Sequence, residues 1–535
     1  MKKALILAFA LLCGHVQAQV EFGPRHEQIH DFETVDYLVI SNEEQGAIVL
    51  ERELHTSAAY PIRIKHLDKN LKVKWQTEMQ VPQRFAVRGY HYSGGKTYLL
   101  LQNRVLHSVK IVRIDAQQKR LDEFETKRIV ELDVREFEVV QNTAVIGGYF
   151  EERPAVFAYV LDRNIVRTLA GVYQNRSELL EVKVNSDDVT FNVLVSKLDD
   201  KKDRTVQVNT YDFQGEPIRD YQLEVKKNFS LINAMASSIN DISQVVVGLY
   251  GINGTTSVAG FYVNHIDRTG EQTMTYHNLG TLPRYLDHLG EKRANKLKTK
   301  AAAMKKSGKE QKYRAEVMFR ELIEEDGKLI VSGEFHKPTE SLVKDDRLGR
   351  INRTNRFMGM NTNSPANDFN PVGVFGPLNT GVPIDDFFMQ VESETEFTHA
   401  YMLVLDQDGN IEWDDYAVIN KEKEGWLQEF GRFQWLGHDQ GAYLSYFEED
   451  LKLKVLDGSD NTEVLTTTLP MKSAADELRH ERDDTLRAVR WYDNNFLVYG
   501  VQHVRPKDKS DDLRKVFFIN KIAATTGPTG EKVQD

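Results

Sequence analysis

The chain has 535 residues, 80 acidic against 69 basic side chains, a formal net charge of −11 and one cysteine, Cys13. An acidic balance spread along the chain excludes a general nucleic-acid binder, which needs a net basic face. A lone cysteine excludes an intrachain disulfide and a cysteine-based metal cluster.

The N-terminus reads as a processing signal. Lys2 and Lys3 form a basic start, an apolar run extends from Ala4 to Leu12, and Val16, Gln17 and Ala18 supply a small-x-small cleavage site. Residues 1–18 are therefore expected to be a signal peptide, with the mature protein, residues 19–535, periplasmic or secreted. A lipid anchor on Cys13 is disfavoured because Leu12 precedes it where a small residue belongs. After this segment no apolar stretch approaches the roughly 18 residues of a membrane-spanning helix. The expectation is a soluble monomer without a transmembrane helix.

One phrase then recurs along the chain: an alternating strand, a turn built on Asp, and a second polar–apolar strand. It stands at 62–78, 109–125, 157–170, 206–223, 261–277 and 401–418, with a weaker copy at 453–469. The turn aspartates Asp68, Asp115, Asp162, Asp212 and Asp267 are about 50 residues apart, a period that belongs to propeller blades. A second phrase precedes the first in several units, an apolar strand interrupted by glycine, as around Gly147, Gly248, Gly333 and Gly500. Glycine inside a strand marks close backbone approach, here expected from strands crowding a central channel. Counted in order, the units fall at 34–80, 84–128, 130–172, 175–225, 228–279, 315–418, 427–469 and 484–525. The predicted fold is all-β, a single β-propeller of about eight four-stranded blades, with seven as the alternative. The last unit shows three strands before its polar tail, so residues 20–34 are expected to supply its outer strand and close the ring.

The phrase DGNIEW at 408–413 resembles the Asp-Gly to Trp turn of quinoprotein-type and related bacterial propellers, and Trp75 occupies the same place in the first unit. The resemblance implies blade geometry in a large secreted bacterial propeller. It implies no quinone, and no cofactor is expected.

Two insertions break the repeat. Residues 282–314 are expected to form a helix, since Leu286, Leu289, Leu297, Ala301 and Met304 keep a period near 3.6. This segment is strongly basic, and Lys292, Arg293, Lys296 and Lys300 are candidate contacts for an anionic polymer, lipid headgroup or acidic protein. Equally, they suit a solvated helix lying across the propeller. The second insertion, 337–396, is rich in Asn, Gly and Pro and carries Phe357, Phe369, Phe375, Phe387 and Phe388, which predicts an ordered lid. Within it Arg347, Arg350, Arg353 and Arg356 recur every third residue, so a helical turn would gather guanidinium groups for a carboxylate or phosphate. Asp385, Asp386 and His399 form its acid–histidine cluster, although adjacent aspartates in a strand point to opposite faces.

No HExxH, GxSxG, Walker or GxGxxG motif occurs. The acidic turn Asp406, Asp408, Asn410 lacks a calcium loop's glutamate, its twelfth place being Ala417, and reads as a blade turn. No catalytic residue and no metal site are assigned. The leading expectation is a noncatalytic scaffold that binds an envelope protein or glycan. The alternatives are a polysaccharide-acting hydrolase or lyase with its site in the funnel, and a structural module of an envelope complex.

Overall fold

The computed structural model describes residues 16–30, 35–53, 59–82, 85–103, 106–129, 132–198, 203–239, 243–252, 258–313, 316–325, 327–338, 395–419, 423–424, 431–437, 441–448, 450–459, 464–481, 486–507 and 513–528. They form an eight-bladed β-propeller, each blade a twisted antiparallel sheet numbered here from its inner to its outer strand.

Blade 1 is β2 (Val35–Ser41), β3 (Ala47–Glu53), β4 (Ala59–Leu67) and β5 (Val73–Pro82). Blade 2 is β6 (Ala86–Ser93), β7 (Lys96–Asn103), β8 (Ser108–Asp115) and β9 (Arg120–Thr126). Blade 3 is β10 (Asp133–Val140), β11 (Thr143–Phe150), β12 (Arg153–Val160) and β13 (Ile165–Thr168). Blade 4 is β14 (Ser177–Val184), β15 (Thr190–Leu198), β16 (Arg204–Asp212) and β17 (Pro217–Gln222). Blade 5 has a broken inner strand, β18 (Phe229–Leu231) and β19 (Met235–Ala236), followed by β20 (Gln244–Ile252), β21 (Val258–Ile266) and β22 (Gln272–Asn278). One helix, α1 (Glu291–Lys306), separates it from blade 6, which is β23 (Glu316–Glu325), β24 (Lys328–Pro338), β25 (Thr395–Asp406) and β26 (Ile411–Val418), with β27 (Lys423–Glu424) beside β25. Blade 7 is β28 (Arg432–Gly437), β29 (Gly441–Glu448), β30 (Asp450–Leu456) and β31 (Leu465–Thr467). Blade 8 is β32 (Asp476–Glu481) and β33 (Arg487–Arg490), then β34 (Asn495–Pro506) and β35 (Arg514–Pro528), with β1 (Val16–Ile29) as its outer strand.

The ring closes as the sequence predicted, with chain from both ends in one sheet. β1 pairs antiparallel with β35 from Val16↔Pro528 to Ile29↔Val516. Lys65 of β4 also donates to Gln28 Oε1 at 2.7 Å, so β1 bridges blades 8 and 1.

The core is a set of apolar layers, one between each pair of neighbouring blades. The layer between blades 1 and 2 holds Ile62, Ile64, Leu99 and Leu101. The one between blades 8 and 1 holds Val39, Val49, Leu497 and Ile519. This is why the strands read as near-continuous apolar runs: both faces of each sheet are covered. The recurring Asp phrase is the turn from third to outer strand. Asp68 Oδ1 accepts from the N–H groups of Asn70 and Lys72, and Asp406 Oδ1 from that of Asn410, so the carboxylates cap their own turns.

The in-strand glycines lie on the second strand of their blades rather than on the channel wall. A Cβ at Gly248 would overlap the Asn233 carbonyl, where the inner strand of blade 5 is broken. At Gly248 the close backbone approach comes from this irregular inner strand, whereas at Gly147 an added Cβ would meet the Leu179 and Glu136 side chains instead.

Candidate functional site

Strand direction alternates across each blade. Connections from an outer strand to the next inner strand, and from second to third strands, therefore open on one face of the ring. α1 lies in the β22–β23 connection, and the second insertion leaves β24 and re-enters β25, so both insertions emerge on this face beside blade 6. Arg347, Arg350, Arg353, Arg356, Asp385 and Asp386 lie outside the described residues. The insertion itself is shorter than 337–396, because Lys337 pairs with Glu396 and Pro338 with Thr395, extending the strands by two residues at each end.

The first insertion is helical over less of its length than the 282–314 expected. Leu279–Thr281 and Asp287–Leu289 are single 3₁₀ turns, and α1 covers only Glu291–Lys306. Glycines in the left-handed region, Gly290 (φ 81°) and Gly308 (φ 71°), flank the helix at either end. Ala294 and Ala301 are buried against blades 5 and 6, with Leu297 partly so. Lys292, Arg293, Lys296 and Lys300 face water. Lys292, Lys296 and Lys300 stand at i, i+4 and i+8, about 6 Å apart along the axis, as a stripe opposite the buried side. Lys298 pairs with Asp287 at 2.7 Å, whereas the stripe makes no ion pair with any described residue.

A buried polar cluster on blade 6 anchors this insertion. Asp414, 1% exposed, accepts from the Arg284 N–H at 2.9 Å and from the Tyr401 hydroxyl at 2.7 Å. Asp415, fully buried, meets Arg284 Nη1 at 3.0 Å and accepts from the N–H groups of Asp457 and Gly458 on blade 7. The Arg284 guanidinium also donates to the Ser459 carbonyl, and the buried Lys454 ammonium to that of Tyr416. Burial raises both aspartates above, and lowers Lys454 below, their ordinary ranges.

His399 belongs to the same anchor. It is 1% exposed, stacked on Phe335 (centroids 4.5 Å, 3° between planes) and on His288 of the insertion (3.9 Å, 21°). Its Nδ1 lies 3.0 Å from Thr398 Oγ1, and its Nε2 meets no partner among the described residues. Burial first, and His288 second, hold its pKa well below the ordinary 6.5. The structure thus places His399 beneath the insertion rather than at a surface. Asp414, Asp415 and Arg284 were missed in the sequence. Their one signal is the tandem acid in WDDY, whose two members do alternate in direction along β26.

A second cluster rings the channel on the later halves of the inner strands, toward the opposite face. His91 Nδ1 lies 2.8 Å from Glu138 Oε2, linking blades 2 and 3. Glu181 of blade 4 is fully buried; its Oε2 accepts from Ala236 N–H of blade 5 at 2.8 Å, and its Oε1 has no partner among the described residues. Burial pushes the Glu181 carboxyl up to about 7, nearby Glu138 adding to the rise while Lys183 and the Ala236 N–H oppose it. Lys183 Nζ reaches the carbonyls of Ala236 (2.9 Å) and Leu322 (3.3 Å), crossing from blade 4 to blades 5 and 6. Arg490 of blade 8 donates to Glu321 of blade 6 and, at 3.3 Å, to Gln434 of blade 7. Side chains from blades 4 to 8 thus reach across this end of the channel.

No protein-family model matches the chain, and no curated protein does. Among solved structures it is similar to the polysaccharide lyase Uly1 (9% identity, TM-score 0.39), covering 93% of this chain and 99% of that one. It is also similar to the β-propeller domain of the Trilobed protease from Pyrococcus furiosus (9%, TM-score 0.35, 84% and 99%). Dipeptidyl peptidase 4 of Porphyromonas gingivalis is a third such likeness (8%, TM-score 0.41, 90% and 59%). At these identities the likeness is one of fold alone.

Proposed function

We propose that the chain is a noncatalytic binding propeller of the bacterial envelope or secreted fraction, which engages an anionic glycan or acidic protein on the face bearing the two insertions. The observation that carries this reading is the outer side of α1. Lys292, Lys296 and Lys300 stand in line without an ion pair to any described residue, on a chain with 11 more acids than bases. Like charges at i, i+4 cost a helix a few tenths of a kcal/mol each. The buried Arg284 anchor fixes the stripe to blade 6 in spite of that cost. The side chains crossing the far end of the channel support approach from the insertion face.

Export is part of the proposal. Cleavage after Ala18 leaves the β1 pairing intact from Gln19↔Thr525 onward, so the mature chain keeps its closure. N-terminal sequencing of the protein from a periplasmic or culture fraction should read from Gln19; an intact Met1 would contradict export by this signal.

The binding test is capture of the mature protein on immobilised polygalacturonate and on poly-glutamate across a salt gradient. Retention that falls with salt on either resin fits the reading, the two resins separating glycan from protein-like partners. Passage through both at low salt contradicts it.

The second reading, an enzyme working in the funnel, rests on Glu181, whose carboxyl near 7 lies in the range of a general acid. Turnover of a polysaccharide panel that is abolished by Glu181→Gln in a folded protein would favour this reading over the first.

A further inference from the structure

We propose that His288 and His399 form an acid-sensitive latch that holds the α1 insertion on blade 6. The two imidazoles stack at 3.9 Å, and His399 is enclosed between His288 and Phe335 with Nε2 unpartnered among the described residues. A proton on His399 would place a charge on a buried nitrogen that meets no acceptor among the described residues, in a ring stacked at 3.9 Å on a second imidazole. Releasing the insertion exposes His399 to solvent, where it titrates normally. The released state therefore binds a proton that the latched state refuses, and mild acid favours release.

The other titratable groups around the stack are Arg284, Tyr285 and Asp287 on the insertion, His336 on β24, Tyr401 on β25, Asp414, Asp415 and Tyr416 on β26, and Lys454 on β30. Asp414 and Asp415 act in the opposite sense. Burial raises both, so the latched state takes up protons there more readily than the released one. Their window opens from their ordinary 3.8 upward, whereas that of His399 opens from 6.5 downward, so the two effects carry opposite signs and a variant at His399 separates them.

Hydrogen–deuterium exchange over residues 282–306 of the full chain, corrected for the intrinsic pH dependence of exchange, measures the latch with no partner present. One excluded proton predicts that opening rises about fourfold from pH 7.5 to pH 6.0. His399→Phe, which keeps a ring in the stack but cannot titrate, removes the rise. Opening that is equal at the two pH values in the wild-type chain, or a rise that survives in His399→Phe, overturns the latch. Should that variant not fold, NMR titration of the His399 imidazole in the wild-type chain decides: a value near 6.5 overturns the latch, and one well below it supports it. That acid also loosens the grip on an anionic partner rests on the binding reading of the α1 face. Exchange without a partner lets the latch and that reading fail separately.

Discussion

Tyr37 of blade 1 lies flat against Phe517 of blade 8, ring centroids 3.8 Å apart and 9° from parallel, at the seam where the two ends of the chain meet. Trp491 Nε1 of blade 8 donates across the same seam to the Gly46 carbonyl of blade 1 at 2.8 Å. A ring with eight interfaces is as strong as its seam, since opening there exposes the apolar faces of both flanking blades to water.

Phe517→Ala is accordingly expected to cost about 3–5 kcal/mol, the range for truncating a buried aromatic. The check is denaturant unfolding by tryptophan fluorescence, with Trp491 in the seam as a reporter. A variant lacking residues 19–29 should lose more, because β35 then becomes an uncovered edge. Equal midpoints for wild type and both variants would show that the seam does not limit stability.

Arg284→Ala leaves Asp415 buried without its ion-pair partner, the neighbouring Lys454 ammonium alone remaining to offset the charge. Breaking a buried pair from one side typically costs about 3–5 kcal/mol, and here the loss should fall on the insertion rather than on the whole ring. Limited proteolysis is expected to cut between 282 and 306 in the variant while the wild-type chain resists; a uniform loss of Tm without local cleavage would place the role of Arg284 elsewhere.

The Glu181 carboxyl predicts a pH dependence of stability with a definite sign. Its unfolded value is 4.5 and its folded value about 7. The stabilisation is therefore complete below 4.5 and is lost as pH rises through 7. Glu181→Gln removes this term, worth on the order of 3 kcal/mol across the window. Calorimetry at pH 5.5 and 8.5 should show wild type losing Tm toward alkaline pH more than the variant does. Parallel Tm values at both pH conditions would mean that Glu181 ionises without penalty.

The blades were legible because their signal is local and repeated. Asp68, Asp212 and Asp406 each cap a turn through their own side chain, and the flanking apolar runs follow from sheets covered on both faces. The closing strand was legible as a deficit, a last unit short of one strand. Non-local relationships were not. Nothing near Arg284 announces that its partner is Asp415, 131 residues away, or that Asp414 and Asp415 are buried, because the burial comes from the insertion folding back over β26 and from the neighbouring Gly458 turn. The channel ring of His91, Glu138 and Glu181 has the same origin: each residue occupies a similar place on its own inner strand, and only closure of the ring makes them neighbours. His399 was noticed for its sequence proximity to Asp385 and Asp386, while its contacts in the structure are Phe335 and His288.

Binding of an anionic partner by the α1 stripe is the property on which the proposed function turns. Its most direct test is fluorescence anisotropy of labelled polygalacturonate and poly-glutamate oligomers titrated with the mature protein and with the Lys292→Glu, Lys296→Glu, Lys300→Glu triple variant. These exposed positions make no ion pair with any described residue, so the variant should fold with an unchanged Tm. The wild-type protein is expected to bind in a salt-dependent manner, with affinity weakened at least about tenfold in the variant by reversal of three contacting charges near a surface. Equal affinity of the two proteins, or no binding by either at low salt, would contradict it.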